Sequence, residues 1–250
     1  MESTRPHAGR GGDTNVDATS PKLHRPLAAK RRQAANNPAH AKTPLNDPEA
    51  VASAIGLAAP FSAWPRDALI RLAGASRVTS HRSGTTLIVA GQPCDQITVI
   101  ADGTVLSSVS TPGGRRLTFK IDDAAFAYGL ASLSDGLPQR IDLVADQHVS
   151  VIRAPLAAVR AELTRMPSLW EPIAVETIRR SRCYAMQLNQ FVFDTPLVRA
   201  ATLLLGLLAR SGKEGHDDPV DIDYRLSQER LADTLGVSRQ WATALVRELS

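Results

Sequence analysis

The sequence predicts an α+β chain in which a rolled antiparallel sheet is followed by a long helix and then by two short helices joined at a tight turn. Three observations carry this prediction. Apolar residues alternate between Val78 and Arg153, punctuated by regularly spaced turn residues, the mark of short strands. From Ala174 to Val192 small and apolar residues return at gaps of four and three, the spacing of a helix that packs along one seam. From Leu226 to Ser250 two short amphipathic helical patterns meet at Gly236, which reads as a helix-turn-helix.

The 250 residues allow one large domain or two smaller ones, and a hydrophobic fraction of 43% is ample for packed cores. The net charge of +4 and pI near 9.4 suggest a nucleic-acid partner, but the charge is unevenly placed. Residues 1–45, which include Lys30-Arg31-Arg32, carry eight basic and three acidic side chains, a net +5 that leaves −1 for the remainder. Bulk charge on the folded part therefore gives no argument for DNA, which rests instead on the helix-turn-helix. The same 1–45 stretch lacks apolar periodicity and is rich in Pro, Ala, Asn and charge, so it is predicted to be a disordered basic tail.

No apolar run follows Met1, so no secretory leader is expected, and the longest apolar run, Ala200 to Ala209, is too short to span a bilayer. The expected setting is the cytoplasm, with no membrane partner. Cys94 and Cys183 have no CxxC spacing and no nearby histidine ligands, which predicts two free thiols and no metal site.

Residues 46–165 make up the predicted roll and its flanking helices. Between 46 and 75, Pro48 and Asp67 mark helix starts, while Leu57, Phe61, Trp64, Leu69, Ile70 and Leu72 supply packing. The strands then read as Leu87/Val89, Ile97/Val99, Leu117/Phe119/Ile121, Ile141/Leu143 and Val149/Val151. Ser83-Gly84, Ala90-Gly91-Gln92-Pro93, Asp102-Gly103 and Thr111-Pro112-Gly113-Gly114 supply the turns. So many short strands imply a closed or rolled antiparallel sheet. Pro155–Leu163 reads as a helix, and a long helix, starting near Ser168, dominates residues 166–193. Its seam of Ala174, Ile178, Ser181, Ala185, Leu188 and Val192 suits pairing with a second copy, the reading adopted, or packing onto the chain's own roll.

The last segment, 194–250, opens with a helix over Leu197–Arg210, followed by a loop over Ser211–Pro219 and a short strand over Val220–Asp223. In the first helix of the motif Leu231, Ala232 and Leu235 recur behind Ser227, a good N-cap. Gly236 ends that helix, Val237 folds back on the shared core, and Ser238 caps the next. Ala242, Leu245, Val246 and Leu249 form the inner face of the second helix, which leaves Arg239, Gln240, Thr243 and Arg247 outward. Such a helix enters the major groove N-terminus first, where Arg pairs with guanine and Gln with adenine.

Arg239 and Gln240 are thus the predicted base readers, with Ser227, Gln228, Ser238 and Thr243 positioned on phosphates and double-stranded DNA as the partner. The bland alternative is an ordinary helical hairpin with a solvated polar face. The sequence holds no P-loop, GxSxG or HExxH, and its histidines lack acidic partners at useful spacing, so no enzyme, no catalytic residue and no metal ligand is expected.

The order of roll, long helix and helix-turn-helix resembles the cyclic-AMP receptor protein/Fnr family of bacterial transcription regulators over roughly residues 60–250. The matching stretches are Ser83-Gly84-Thr85, Ala90-Gly91-Gln92-Pro93, Asp102-Gly103-Thr104-Val105, Phe126-Ala127-Tyr128-Gly129, Arg199-Ala200-Ala201-Thr202-Leu203-Leu204 and Leu226-Ser227-Gln228-Glu229 through Leu249. The resemblance implies an N-terminal double-stranded β-helix, a jelly-roll-like β-roll of the cyclic-nucleotide-binding type, that senses a small-molecule effector. It further implies a homodimer joined by the long helices, a near-palindromic operator, and RNA polymerase as a further partner.

In family members that bind cyclic nucleotides, a Gly-Glu pair holds the ribose, and an Arg followed by a small hydroxyl residue grips the phosphate. Here the implied effector residues are Gly129, Leu130, Ala131, Arg140 and Ile141. Leu130 cannot accept the ribose hydrogen bond, a loss of about 2 kcal/mol, and Ile141 has no hydroxyl. Arg140 stands near the phosphate-binding place. Cyclic AMP is therefore disfavoured, leaving a different effector or none. The N-terminal cysteine cluster of the family's oxygen sensors is missing, so no iron–sulfur cluster is expected, and no residue points to haem.

The recognition helix also departs from the family: Gln240 stands for Glu, Trp241 for Thr and Ala244 for a second base-reading Arg. The sequence stops at Ser250, where the family continues into a β-hairpin wing, so either the sequence is cut there or the protein lacks the wing, and the expectation is a winged-type helix-turn-helix lacking the wing in this chain. Ala244 and the missing wing favour an alternative of another class, a dimeric ligand-sensing or protein-interaction module that has lost DNA binding.

Overall fold

The computed structural model describes residues 45, 47–211, 224 and 226–249. The predicted tail, apart from Leu45, the loop after Ser211 and the strand Val220–Asp223 lie outside the described residues. Helix α1 (Pro48–Leu57) starts behind Asp47, whose carboxylate accepts the Glu49 N–H, with Pro48 at a first position that needs no donor. Helix α2 (Arg66–Gly74) follows a 3-10 turn in which the Phe61 and Trp64 rings meet edge to face at 5.0 Å.

Eight strands among the described residues follow: β1 (Arg77–His81), β2 (Thr86–Ile88), β3 (Gln96–Asp102), β4 (Val105–Ser110), β5 (Arg116–Asp122), β6 (Phe126–Tyr128), β7 (Asp142–Ala145) and β8 (Val149–Pro155), with helix α3 (Leu130–Asp135) between β6 and β7. They form two four-stranded antiparallel sheets in the orders β1-β8-β3-β6 and β2-β7-β4-β5. The chain is therefore the rolled antiparallel sheet that the turn spacing predicts.

Sequence alternation traced this roll only in part. β3 is buried on both faces: Ile97 and Val99 join the cluster with the helices, while Ile100 joins Phe126, Tyr128, Leu143, Val149 and Val151 inside the roll. Such a strand reads as a continuous run, not as alternation. In β4 Ser107, turned inward to the Tyr128 hydroxyl, and its neighbour Ser108 are each 1% exposed, so hydropathy gave no signal there. Val89 and Ile141 fall just outside β2 and β7; Val89 is exposed where the chain enters the turn toward Pro93.

Helix α4 (Leu156–Arg165) packs against α2, and the buried Glu162 takes two hydrogen bonds from Arg71 at 3.0 and 2.8 Å. These bonds hold the Glu162 carboxyl below its ordinary range. A 3-10 turn over Pro167–Leu169 delays the long helix α5 to Trp170–Phe193, and α6 spans Pro196–Ser211. The last two helices, α7 (Gln228–Leu235) and α8 (Arg239–Leu249), share a separate small core with Ala200 of α6. Among the described residues no helix is long and apolar enough to cross a membrane.

Candidate nucleic-acid interface

Local chemistry builds the helix-turn-helix. Ser227 accepts the Arg230 N–H at 3.2 Å and starts α7; Gly236, at φ 66° and ψ 33°, ends it. The Val237 N–H then returns to the Ala232 carbonyl at 3.1 Å, a left-handed stop that a β-carbon would strain. Ser238 accepts the Trp241 N–H at 3.2 Å and opens α8. Leu231, Ala232, Leu235, Ala242 and Leu245 are buried together, with Val237, Trp241 and Val246 packed against them. The side chain of Leu249 lies outside the description.

On the opposite side of α8, Arg239, Gln240 and Arg247 are exposed, as is Ala244. Thr243 is half-buried, and its hydroxyl lies 2.9 Å from both the Gln228 side-chain oxygen and the Arg239 carbonyl. The structure thus joins Gln228 and Thr243 into a bridge between the two helices. Ser227 and Ser238 stand at the two helix N-termini, where unsatisfied backbone N–H groups gather and favour anions.

The motif is docked on the rest of the chain through groups that sequence reading missed. Asp146, after β7, accepts the Tyr224 hydroxyl at 2.7 Å and pairs with Arg230 of α7. Burial and this hydrogen bond push the Tyr224 phenol well above its ordinary range. Arg199 of α6 donates to the carbonyls of Phe191 and Asp194 at the end of α5 and to that of Leu235 at the end of α7. It therefore clips two helix C-termini together, where carbonyls lack partners of their own. No periodicity marks such side chains, because their partners are backbone atoms or lie far along the chain.

All six seam residues of α5, Ala174, Ile178, Ser181, Ala185, Leu188 and Val192, are exposed on one side of the helix. On the other side Glu176 is buried and takes hydrogen bonds from Arg179 at 2.8 and 2.7 Å and from Arg180 at 2.7 Å. Arg180 also donates to the Ala127 carbonyl of β6 at 2.6 Å and stacks 4.0 Å from the Phe126 ring centre, whose ring Lys120 meets at 3.5 Å.

The implied effector residues are scattered. Gly129, at φ 102°, caps α3 where a β-carbon would lie 2.8 Å from the Gln96 carbonyl. Leu130 is buried in the core beneath the helices, Ala131 and Arg140 are exposed, and Ile141 packs at the edge of the roll's interior. The roll keeps a cavity of about 160 Å³, lined among others by Leu87, Cys94, Thr98, Gln139 and Arg153. Gln139, one of its lining residues, donates to the Ser132 hydroxyl at 2.9 Å. Deeper in, the Tyr128 hydroxyl donates to Asp122 at 2.6 Å beside Ser107, and burial followed by the Asp122 charge pushes the phenol far above its ordinary range.

The fold has counterparts among solved structures. The global regulator CLP of Xanthomonas campestris matches with a TM-score of 0.63 at 17% identity, covering 74% of this chain and 91% of that one. FixK2 of Bradyrhizobium japonicum matches with a TM-score of 0.60 at 18% identity, covering 70% and 84%. The chain shares their fold. This is the fold of the roll, long helix and helix-turn-helix that the sequence motifs predict. No protein-family model and no curated protein sequence matches the chain.

Proposed function

We propose that the chain is a sequence-specific DNA-binding transcription regulator that works as a homodimer on a near-palindromic operator. The observation that carries the reading is the division of α8: Ala242 and Leu245 are buried, while Arg239 and Gln240 stand exposed at its serine-capped N-terminus and Arg247 stands exposed in its last turn. Exposed Arg and Gln offer paired donors and acceptors to base edges, and helix N-termini with their serines suit phosphates. The bare seam of α5 supports pairing with a second copy, which places two recognition helices on successive half-sites. The CLP structure, which shares the fold, is described as that of a c-di-GMP responsive global regulator linked to virulence gene expression.

For the roll, the burial of Leu130 and the exposure of Arg140 support a degenerate cyclic-nucleotide site. The remaining cavity, at about 160 Å³, is smaller than the ~300–1,000 Å³ typical of small-molecule pockets. Recognition of DNA without cyclic nucleotide is the consequence.

The test is selection of bound duplexes from a random pool by the purified chain with no nucleotide added. An inverted repeat should be recovered. Arg239→Ala should weaken binding to the selected duplex by roughly 1–3 kcal/mol and leave random DNA unaffected. Equal losses on both duplexes overturn the base-reading role, and no retention of any duplex overturns the regulator reading.

A further inference from the structure

We infer that the cleft where β5, α5, α6 and α7 meet binds a small, neutral, planar ring compound the size of indole. The cleft has a volume of about 270 Å³, below the range that drug-sized ligands occupy. Phe119 and Ile121 of β5, Phe191 of α5, Leu203 and Leu207 of α6 and Leu235 of α7 supply its apolar walls. A flat ring laid against such walls removes apolar area from water on both partners.

Its polar groups fix the chemistry further. Both cations at the cleft are already engaged: Lys120 pairs with Asp122 at 2.9 Å and covers Phe126, and Arg199 gives four of its five N–H donors to the Phe191, Asp194 and Leu235 carbonyls. With both side chains tied back in this way and the walls largely apolar, burying a charged occupant costs more than burying a neutral one, so the occupant is neutral. Gln187 donates to the Phe119 carbonyl at 2.9 Å, and the Gln190 amide has no partner among the described residues. Together they present an amide edge for a ring N–H or similar group.

Gly206 keeps the entrance open. It lies within α6, where a glycine weakens a helix relative to alanine, and a β-carbon there would meet nothing within 4 Å. A side chain at this position would stand across the mouth. Because the walls come from the roll, the long helix and the helix-turn-helix at once, an occupant that fits one arrangement of these parts better than another biases their placement.

The experiment is calorimetric titration of indole into the full chain without DNA. The expected result is saturable binding of one molecule per chain, millimolar or tighter. Gly206→Leu should lower the affinity at least ~10-fold with no loss of melting temperature. Gln190→Leu should weaken indole but not indene, the hydrocarbon of the same shape. The inference is overturned if the wild-type chain shows no saturable binding, if Gly206→Leu folds and binds indole as well as the wild type, or if Gln190→Leu weakens both rings equally. Since DNA is absent from the titration, failure of ring binding leaves the regulator reading standing, and failure of DNA recognition leaves the ring site standing.

Discussion

On the face of α5 turned to the roll stand Ile173, Glu176, Arg180 and Gln187; on the opposite face stand Ala174, Ile178, Ala185, Leu188 and Val192. Glu176 is 4% exposed, whereas Ile178, Leu188 and Val192 are 54%, 64% and 63% exposed. A helix on the surface of a lone globular chain carries the reverse pattern, with charge outward and apolar groups inward. The inner charges are tolerable because each is paired: Glu176 with two arginines, and Arg180 with a strand carbonyl and an aromatic face. The outer stripe has no such compensation, since apolar area left in water forgoes about 25 cal/mol per Å². The contrast separates the two faces: the inner one fixes the helix to the roll, and the outer one is left exposed for the pairing proposed above.

The largest effect should come from breaking the outer face. Ile178→Glu combined with Leu188→Glu puts two charges on the seam, where a paired helix would bury them. We expect a monomer by light scattering, an unchanged circular dichroism spectrum and operator affinity lower by about a thousandfold, the size of effect lost when two linked half-sites are read separately. A double variant that stays dimeric would remove the seam from the interface.

Breaking the inner face should cost folding stability instead. Glu176→Ala leaves two arginines beside Phe126 and Ala127 without their carboxylate, and removing one partner of a buried pair destabilises by about 3–5 kcal/mol. Urea unfolding measures this, and Val192→Ala on the outer face of the monomeric variant should change stability by less than about 0.5 kcal/mol. Similar losses at both positions would erase the distinction between the faces.

Proton binding gives a gentler version of the same perturbation. Burial pushes the Glu176 carboxyl up, but the Arg179 hydrogen bonds and the Arg180 charge outweigh it and hold the group at about 2, against 4.5 for a free glutamate. A carboxyl depressed in the folded state adds stability above its unfolded pKa, and that stability is lost as pH falls toward the folded value. Between about pH 5 and pH 2 the loss should be on the order of 2 kcal/mol after solvent screening. Urea midpoints measured against pH should fall more steeply in the wild type than in Glu176→Gln.

How much of this was legible in the sequence depends on where each partner sits. The two serine caps and Gly236 lie on short local spacings, and the structure places them as those spacings predict, while the residues of the predicted seam fall on one exposed side of α5. The inner face was not legible. Arg180 finds Ala127, Arg71 finds Glu162 and Arg230 finds Asp146 across 53, 91 and 84 residues, and no hydropathy pattern records such pairings. In the roll, Ser107 stands inward where alternation expects an apolar group, and Ser108 beside it is buried as well, so β4 carried no signal. Leu130 was readable as the loss of an acceptor, but its burial beneath the helices follows only from the turn at Gly129.

The smallest expected effect concerns a single hydrogen bond that joins the inner face to the edge of a sheet. Ser107 pairs with Lys120 and Ser108 with Thr118, so Phe119 is the extra residue of a β-bulge on the edge strand β5. Gln187 donates to its carbonyl at 2.9 Å, and the Phe119 and Tyr184 rings meet edge to face 5.9 Å apart beside this bond. Gln187→Met keeps the length of the side chain but withdraws the donor, which should cost about 1 kcal/mol in urea unfolding. It should also change the near-ultraviolet dichroism of Tyr184 while leaving the dimer intact. If stability and dichroism are both unchanged, water satisfies the bulge carbonyl, and this bond adds nothing to the grip that Ile173, Glu176 and Arg180 give α5 on the roll.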